Sequence, residues 1–559
     1  MKRNMFLLVM VMWSCSVLFA QDSWVKTFGV IGESDHSYSV TKTQNGGYCL
    51  TGRTTTFYNT PNGNLARSFD VIVVRCDSVG NIVWTTSFGG TDDDCGYSIV
   101  TTFDNGFILT GTTRSFDGDF EGMSKGVNNN GVNTDEIFVV RLDSNGKIVW
   151  KKTFGGTNQD DGKSLRITSD DGVILTGQTC SNDGDFDGLN KGCDVFVMKL
   201  DSSGEIVWKK IIGYSSDTTG GGRGNSIVVT PDSGLVVIGD YVVMTVNQRK
   251  VDVFVVKLDY NGKVLWKKTF GGSEDDIGES INVTTDGSLV ITGWSHSNNG
   301  DFVGLNRDFL RPEIRNDIFV FKLDSLGKLV WKKSFGGRSK DESYSITNND
   351  DNSCTITGRT SSSDGDFEGL NRRGNSGSSG PWDLFVIRIE SDGNTRWKKV
   401  YGGTNNEDGS SVVSSRNGAS VITGSFNSYD YDFDGLYRKA GTGRVSEPPD
   451  IFLIKLDSNG ILNSTTSVND ESTSSTKLFV SPNPLSSSST ITYTIQKPSR
   501  VRIELMNTLG QVSDVVFDGY SESGTHSLSL NTTSITSGMY WFRMTNGTGV
   551  QTTQVSVVR

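Results

Sequence analysis

From Val253 to Leu258 the chain is an almost unbroken apolar run, VFVVKL. From Val264 to Phe270, VLWKKTF, apolar and polar residues partly alternate, and Tyr260-Asn261-Gly262 lies between the two. β-Branched and aromatic residues favour a pleated strand. An Asn-Gly pair supplies the positive φ of a tight hairpin turn. The two runs read as one hairpin, with Val264, Trp266 and Lys268 on one face of its second strand and Leu265, Lys267 and Thr269 on the other. The pattern recurs as DEIFVVRLDSNGKIVWKKTFGG from Asp135, DVFVMKLDSSGEIVWKKIIG from Asp194, DIFVFKLDSLGKLVWKKSFGG from Asp317 and DLFVIRIESDGNTRWKKVYGG from Asp383. A lone hairpin is marginal in water, so repetition is what makes such a unit stable.

The Trp after each turn gives the count: Trp24, Trp84, Trp150, Trp208, Trp266, Trp331 and Trp397. Each interval holds four strand-like runs. After Trp266 they are the Trp run itself, Ser280–Thr284, Ser288–Thr292 beyond a turn at Thr285-Asp286-Gly287, and Ile318–Leu323 beyond a long loop. Four-stranded antiparallel units in seven copies predict an all-β fold, a seven-bladed β-propeller over residues 21–462. A β-helix has a shorter repeat, and separate sandwiches need more residues per unit. The array opens on a Trp strand, Ser23–Phe28, with no hairpin partner before it. It closes on Ile451–Leu462 with no Trp strand after it. The first strand is therefore expected to complete the last blade and to hide the sheet edges.

Strand direction alternates, so successive connections alternate between the faces of the ring. The turns such as Asp170-Asp171-Gly172 and Asp143-Ser144-Asn145-Gly146 share one face and are tight. The segments after the Trp strand, such as Gly89-Gly90-Thr91-Asp92-Asp93-Asp94, share the other with the long loops after LTG. That second face is acidic and variable, and loops on a rigid scaffold are where binding concentrates. Its loops repeat one motif: Asp117-Gly-Asp119-Phe-Glu121-Gly122, Asp183-Gly-Asp185-Phe-Asp187-Gly188 and Asp364-Gly-Asp366-Phe-Glu368-Gly369. Weaker copies begin at Asn299 and Asp430, and repeats one and four lack it. Carboxylates at alternate positions before a Gly can wrap Ca²⁺. The competing reading is an Asp/Gly turn with its Phe tucked between blades.

Composition narrows the chemistry. A net charge of −11 over 559 residues argues against nucleic acid, which needs clustered Lys and Arg. The Lys-Lys pairs after each Trp read as solvated strand ends. With three His in 559 residues, scattered at His36, His296 and His526, a His-based metal site or a Ser-His-Asp triad has little to draw on. Carboxylate pairs such as Asp93/Asp94, Asp160/Asp161 and Asp275/Asp276 are numerous, and glycoside cleavage needs only two at the right spacing. Their recurrence in successive repeats favours a structural or binding role.

Lys2 and Arg3, an apolar stretch from Phe6 to Phe19, and Ala20 read as a secretory signal over residues 1–20. No other segment is apolar enough to span a bilayer. Export permits disulfides. Cys49 with Cys76, and Cys180 with Cys193, fall near the same antiparallel register in two repeats. Each pair can bridge, or stay as buried thiols. Beyond Leu462, residues 463–476 (NSTTSVNDESTSST) read as a linker. Residues 477–559 carry five strand-like runs, Thr490–Ile495, Val501–Met506, His526–Leu530, Met539–Thr545 and Thr553–Val558, which fit a small Ig-like β-sandwich.

Two resemblances follow. The pattern D-x-F-V-x-K-L-D-x-x-G-x-x-x-W, followed by Gly-Gly and an acidic pair, resembles the bacterial SBBP β-propeller repeat family over about residues 22–462. It implies the fold and leaves the activity open. Ser481-Pro482-Asn483-Pro484, Met506-Asn507-Thr508-Leu509-Gly510-Gln511, Ser537-Gly538-Met539-Tyr540 and a terminal Arg559 resemble the sorting domain of the Bacteroidetes type IX secretion system. That resemblance implies export through the periplasm, with the secretion machinery as partner, to a secreted or cell-surface location. The function expected is binding, of a glycan or a protein through the acidic loop face, with Ca²⁺ as a candidate ion for ordering the loops. A polysaccharide-active hydrolase or lyase using loop carboxylates, and a passive surface protein, are the alternatives.

Overall fold

A computed structural model describes residues 23–557 apart from 30–32, 60–64, 124–125, 127–132, 190–191, 214–220, 245–248, 306–315, 371–380, 429, 435–448, 463–476, 482–487, 496–497, 507–511, 533–534, 536–537 and 547–548. The signal at 1–20, the linker at 463–476 and the sorting-motif residues 482–484, 507–511, 537 and 559 lie outside the described residues. The chain divides into two compact units, Met1–Asn463 and Ser464–Arg559.

The first unit consists of seven four-stranded antiparallel sheets. In the fifth, Asp276–Val283 pairs with Leu289–Ser295, then Asp317–Leu323, then Leu329–Phe335. The other blades cover residues 36–88, 94–154, 160–212, 222–270, 341–401 and 407–456. The last takes Trp24–Phe28 as its fourth strand, in register from Trp24 opposite Lys455 to Phe28 opposite Ile451. The ring is closed as the orphan Trp strand predicts. The structure also sets the blade boundary: the Trp strand is outermost, and the strand that follows the acidic pair is innermost.

The apolar third strand is not alternating because it is buried on both faces. Val253 to Leu258 is wholly buried, with blades on either side. Apolar side chains gather in seven clusters, each shared by consecutive blades, including one between blades seven and one. The outer strand alternates between half-buried and exposed positions over Val264–Lys267.

Two repeated contacts join the blades, and a third holds each blade together internally. The innermost strand carries a Ser whose hydroxyl accepts a backbone N–H of the next blade. Ser39 accepts from Ile99, Ser98 from Leu165, Ser164 from Ile227, Ser280 from Ile346 and Ser345 from Val412, all at 3.2–3.3 Å. Each Trp lies on the tight turn of the following blade. Trp84 Nε1 donates to Ser144 O at 3.0 Å and Trp397 Nε1 to Ser458 O at 3.0 Å. Gly262, with φ 79°, sits so close to Trp208 that a Cβ would come within 2.9 Å of the indole. Finally, the Gly of LTG lies over a β-bulge in the innermost strand. A Cβ on Gly111 would sit 1.8 Å from Cys95 O, so any larger residue would undo the bulge.

Cys180 and Cys193 form a disulfide, just beyond the last ladder pair, Thr179 opposite Asp194. Cys49 and Cys76 do not. Cys49 is opposite Arg75 and Cys76 opposite Tyr48, so the two sulfurs lie on opposite faces of the blade. Cys76 packs in the cluster between blades seven and one, and Cys49 in that between blades one and two. The two registers differ by one residue, which inverts the face.

The second unit is a β-sandwich. A three-stranded sheet (Lys477–Ser481, Ser488–Ile495, Gly524–Asn531) and a four-stranded sheet (Val512–Ser521, Ser499–Met506, Gly538–Asn546, Gly549–Val557) share one core around Tyr493, Ile503 and Phe542. Two of these strands, Lys477–Ser481 and Val512–Ser521, are additional to the five runs read from the sequence. Among the described residues no helix is long and apolar enough to cross a membrane.

Candidate functional site: the loop face and the axial cavity

The recurrent acidic motifs are latches. Asp117 accepts Thr91 N and the Thr91 hydroxyl, both at 2.8 Å, and Asp119 accepts Gly89 N at 3.1 Å. Asp183 and Asp185 take Thr157 and Gly155 in the same way, and Asp364 and Asp366 take Arg338 N and Gly336 N. The backbone N–H of Thr157, and then its hydroxyl, hold Asp183 below the usual carboxylate range. Each motif thus ties its blade's long loop to the Gly-Gly segment arriving from the previous blade. Phe120, Phe186, Phe302, Phe367 and Phe433 are fully buried beneath the loops. The third carboxylates, Glu121, Asp187 and Glu368, are exposed. Among the described residues no three acidic, His or Cys side chains converge as a metal cage requires.

A second acid per latch is buried at the start of the innermost strand. Asp94 accepts Gly90 N at 3.0 Å and the Ser115 hydroxyl at 2.8 Å, and Asp160, Asp276, Asp341 and Glu407 repeat the arrangement. Burial raises Asp94 and Asp276 to about 7, Asp160 to about 6 and Glu407 to about 8, despite those hydrogen bonds. The first Lys after the Trp is also engaged. Lys332 reaches Asp301 O at 2.8 Å, Lys398 reaches Asp366 at 3.2 Å, and Lys151 and Lys209 reach the carbonyls of Asp119 and Asp185. Blades one and four, without the motif, instead lengthen their middle hairpins. Tyr48–Asn59 and Leu65–Cys76 have 12 residues each, and Leu235–Met244 and Arg249–Leu258 have 10, against 7 in the other blades.

These contacts repeat from blade to blade. What differs lies at the axis. The bulge in each innermost strand frees one residue from the ladder: Tyr38, Tyr97, Lys163, Asn225, Glu279, Tyr344 and Ser410. The residues before the bulge also differ: His36, Cys95, Asp161, Arg223, Ile277, Glu342 and Asp408. Several line a cavity of about 340 Å³ at the loop-face end of the channel: His36 and Tyr38 of blade one, Asn225 of blade four, Glu279 of blade five, Tyr344 and Arg359 of blade six, and Asp408, Ser410 and Ser425 of blade seven.

The cavity wall is wired by hydrogen bonds. Arg359 Nε donates to Glu342 at 2.9 Å and Nη1 to Asp408 at 3.3 Å, and its guanidinium lies 4.1 Å from the Trp382 ring centre. Burial works against the Glu342 carboxylate, yet Arg359 and the hydroxyl of Tyr344, which donates to it at 2.6 Å, hold it below its usual range. His36 sits between the hydroxyls of Ser34 and Ser425, at 3.3 and 3.2 Å, and stacks on Tyr38. Burial, then Arg53, lowers it to about 4, so it is neutral at neutral pH. Burial, then Asp240 and Glu342, raises Glu279 to about 7. The acidic motif residues of the loops do not line this cavity. The signal that finds the cavity is difference between aligned repeats rather than the motif they share.

Residues 479–559 match the family model of the secretion system C-terminal sorting domain. The C-terminal unit is a sorting domain. Such a domain engages the type IX secretion machinery and marks the chain for the cell surface or the medium. A 178-residue stretch is 28% identical to the regulatory protein FlaEY of Caulobacter vibrioides, covering 31% of this chain and 18% of that protein. A 266-residue stretch is 23% identical to an uncharacterised WD repeat-containing protein of Acanthamoeba polyphaga mimivirus, covering 39% and 19%. The chain thus spans under a fifth of the length of these curated relatives. Among solved structures, PorZ, a surface component of the type IX secretion system of Porphyromonas gingivalis, is 10% identical over 94% of this chain and 81% of its own, with a TM-score of 0.27. A Penicillium chrysogenum α-L-arabinanase is 9% identical over 67% of this chain and 98% of its own, with a TM-score of 0.33.

Proposed function

We propose that the chain is an exported binding propeller that takes a glycan or a protein segment at the loop-face mouth of its axial channel. One observation carries this reading. The positions that stay constant from blade to blade hold the ring together, and half of those that vary, from blades one and four to seven, line one polar, aromatic-lined cavity. Concave sites with a few convergent polar groups are where ligands bind, and a symmetric scaffold has no structural need for Tyr, Lys, Asn, Glu and Ser at equivalent places. A second reading has its own support. Glu279 titrates near neutrality beside Asp240 and Glu342, as an acid in glycoside or polysaccharide cleavage would. A glycan and surface-protein array run beside a polysaccharide hydrolysis screen tests both. Binding that is lost in Arg359→Ala and Tyr344→Ala variants supports the first, and turnover of any polysaccharide replaces it with the second. A blank array and a blank screen would leave a passive surface role.

A further inference from the structure

We propose that the axial cavity receives a protonated amine carried on a sugar, an unacetylated amino sugar of a glycan chain, with Glu279 as its anionic partner. This rests on the reading of the cavity as a ligand site, and it names the ligand class.

The argument is one of charge and partners. Arg359 donates to both Glu342 and Asp408, so one cation is already shared by two acids. Asp240 lies opposite Arg223 in the ladder and accepts Asn225 Nδ2 at 3.2 Å. Glu279 projects from the bulge of blade five between these groups, and among the described residues no ion pair reaches it. Burial and the two flanking acids, Asp240 and Glu342, raise its carboxyl, while the Trp294 indole and Arg223 offset them only in part. The remaining titratable groups of the channel are committed elsewhere. Lys163 lies 3.8 Å over the Tyr97 ring and feels Asp161 more strongly than Glu279; His36 is neutral between two serines; and the Tyr344 hydroxyl donates to Glu342.

A carboxyl held half-protonated at neutral pH is short of a cation. An ammonium placed against Glu279 ionises it and converts a poorly solvated acid into one side of a charge-assisted hydrogen bond. The rest of the lining suits a sugar. The hydroxyls of Ser410, Ser425 and Tyr38 offer donors and acceptors around a ring, the Asn225 carbonyl adds an acceptor, its amide hydrogens being given to Asp240 and Gly278 O, and Tyr344 offers an aromatic edge. At about 340 Å³ the cavity is at the small end of ligand sites, the size of a chain terminus rather than a folded peptide.

The test is titration calorimetry on the full chain at pH 7 with three probes: a glucosamine tetrasaccharide, its N-acetylated counterpart and Nα-acetyl-lysine methylamide. The free-amine sugar is expected to bind about tenfold or more tightly than the acetylated one, the factor that a hydrogen bond to a charged group supplies. Its binding heat is expected to change with the ionisation enthalpy of the buffer, because Glu279 loses its proton. Glu279→Gln, which has no carboxyl to ionise in the buried site, is expected to fold with a melting temperature at pH 7 no lower than that of the unaltered chain, and to lose the preference and the buffer dependence. Equal affinity for the two sugars overturns the amine and leaves the cavity as a ligand site. A lysine amide that binds as tightly as the amino sugar overturns the sugar. No binding of any probe overturns the proposal outright, and the array decides separately whether the cavity binds anything else.

Discussion

The hydroxyl of Ser411 accepts the backbone N–H of Val40 at 3.3 Å, joining the seventh blade to the first. The same boundary is crossed by Ser37 to Thr423 at 2.5 Å and Tyr48 to Ser415 at 2.7 Å. These contacts reproduce at the closure the serine latch found between other blades. The closure is therefore an ordinary blade junction whose two sides lie at opposite ends of the propeller sequence.

Loss of the closing strand is expected to open that junction. Trp24 is 4% exposed and packs against the turn at Gly80. Truncating a buried aromatic costs about 3–5 kcal/mol, so Trp24→Ala should lower the denaturant midpoint clearly, and deletion of residues 22–30 should lower it further. An unchanged midpoint after the deletion would falsify the closure.

The latches predict a stability effect that is independent of metal. Asp185→Ala leaves Gly155 N without its carboxylate acceptor and should destabilise the ring by about 1–3 kcal/mol. EDTA should leave the melting temperature where it is. A fall on chelation, restored by Ca²⁺, would put a cation on these loops.

Tyr431 offers a rare stabilising change. It occupies the motif position that is Gly in four other blades and is held at φ 52°. In those blades the following Asp donates its N–H to the Gly-Gly segment at 2.8–3.1 Å, and in this one the bond stretches to 3.4 Å. Tyr431→Gly should relieve about 1 kcal/mol of left-handed strain and raise the melting temperature by about 1 °C.

The buried acids set the direction of the pH dependence. Asp94, Asp160, Asp276 and Glu407 titrate at about 6 to 8 in the ring, against about 4 when unfolded. Between these values the folded chain holds more protons than the unfolded one, so stability falls as pH rises through that window. The melting temperature should drop from pH 5 to pH 8, and Asp276→Asn should flatten the slope. A rise over the same range would contradict the assignment. Exposed acids held low, such as Asp232 and Asp286 at about 2, act only below about pH 4.

The thiols give a simple count. Alkylation under denaturing, non-reducing conditions should label Cys49, Cys76, Cys95 and Cys354 and spare Cys180 and Cys193. A peptide cross-linking Cys49 to Cys76 would contradict the register of blade one.

The ring was legible in the sequence because its period is carried by residues with one geometric job each. Trp266, Asn261-Gly262 and the Ile291-Thr292-Gly293 run recur because a staple, a turn and a bulge cover recur. Strand count, closure and the location of the long loops followed from that. The cavity was not legible in the same way. Tyr38, Glu279 and Tyr344 leave the ladder only because a bulge inserts one residue, and no propensity marks a bulge. In the motif from Asp183 to Gly188, Asp183 and Asp185 accept backbone N–H groups of Thr157 and Gly155, and the sequence alone does not separate that role from ion binding, since a carboxylate answers an N–H as readily as a cation. The disulfide reading divided for a related reason: one step of register moved Cys76 to the opposite face from Cys49, while Cys180 and Cys193 stayed together.

Closure through Trp24–Phe28 has a consequence in time. The strand's partner, Asp450–Leu456, lies 426 positions later (450 − 24), so at about 5–20 residues per second the strand waits roughly 20–85 s for it during synthesis. Until then blade seven has an open edge and the ring cannot lock. An exported chain thus keeps its last fastening close to the part of the ring that is made first, and completion of the ring waits on the part made last.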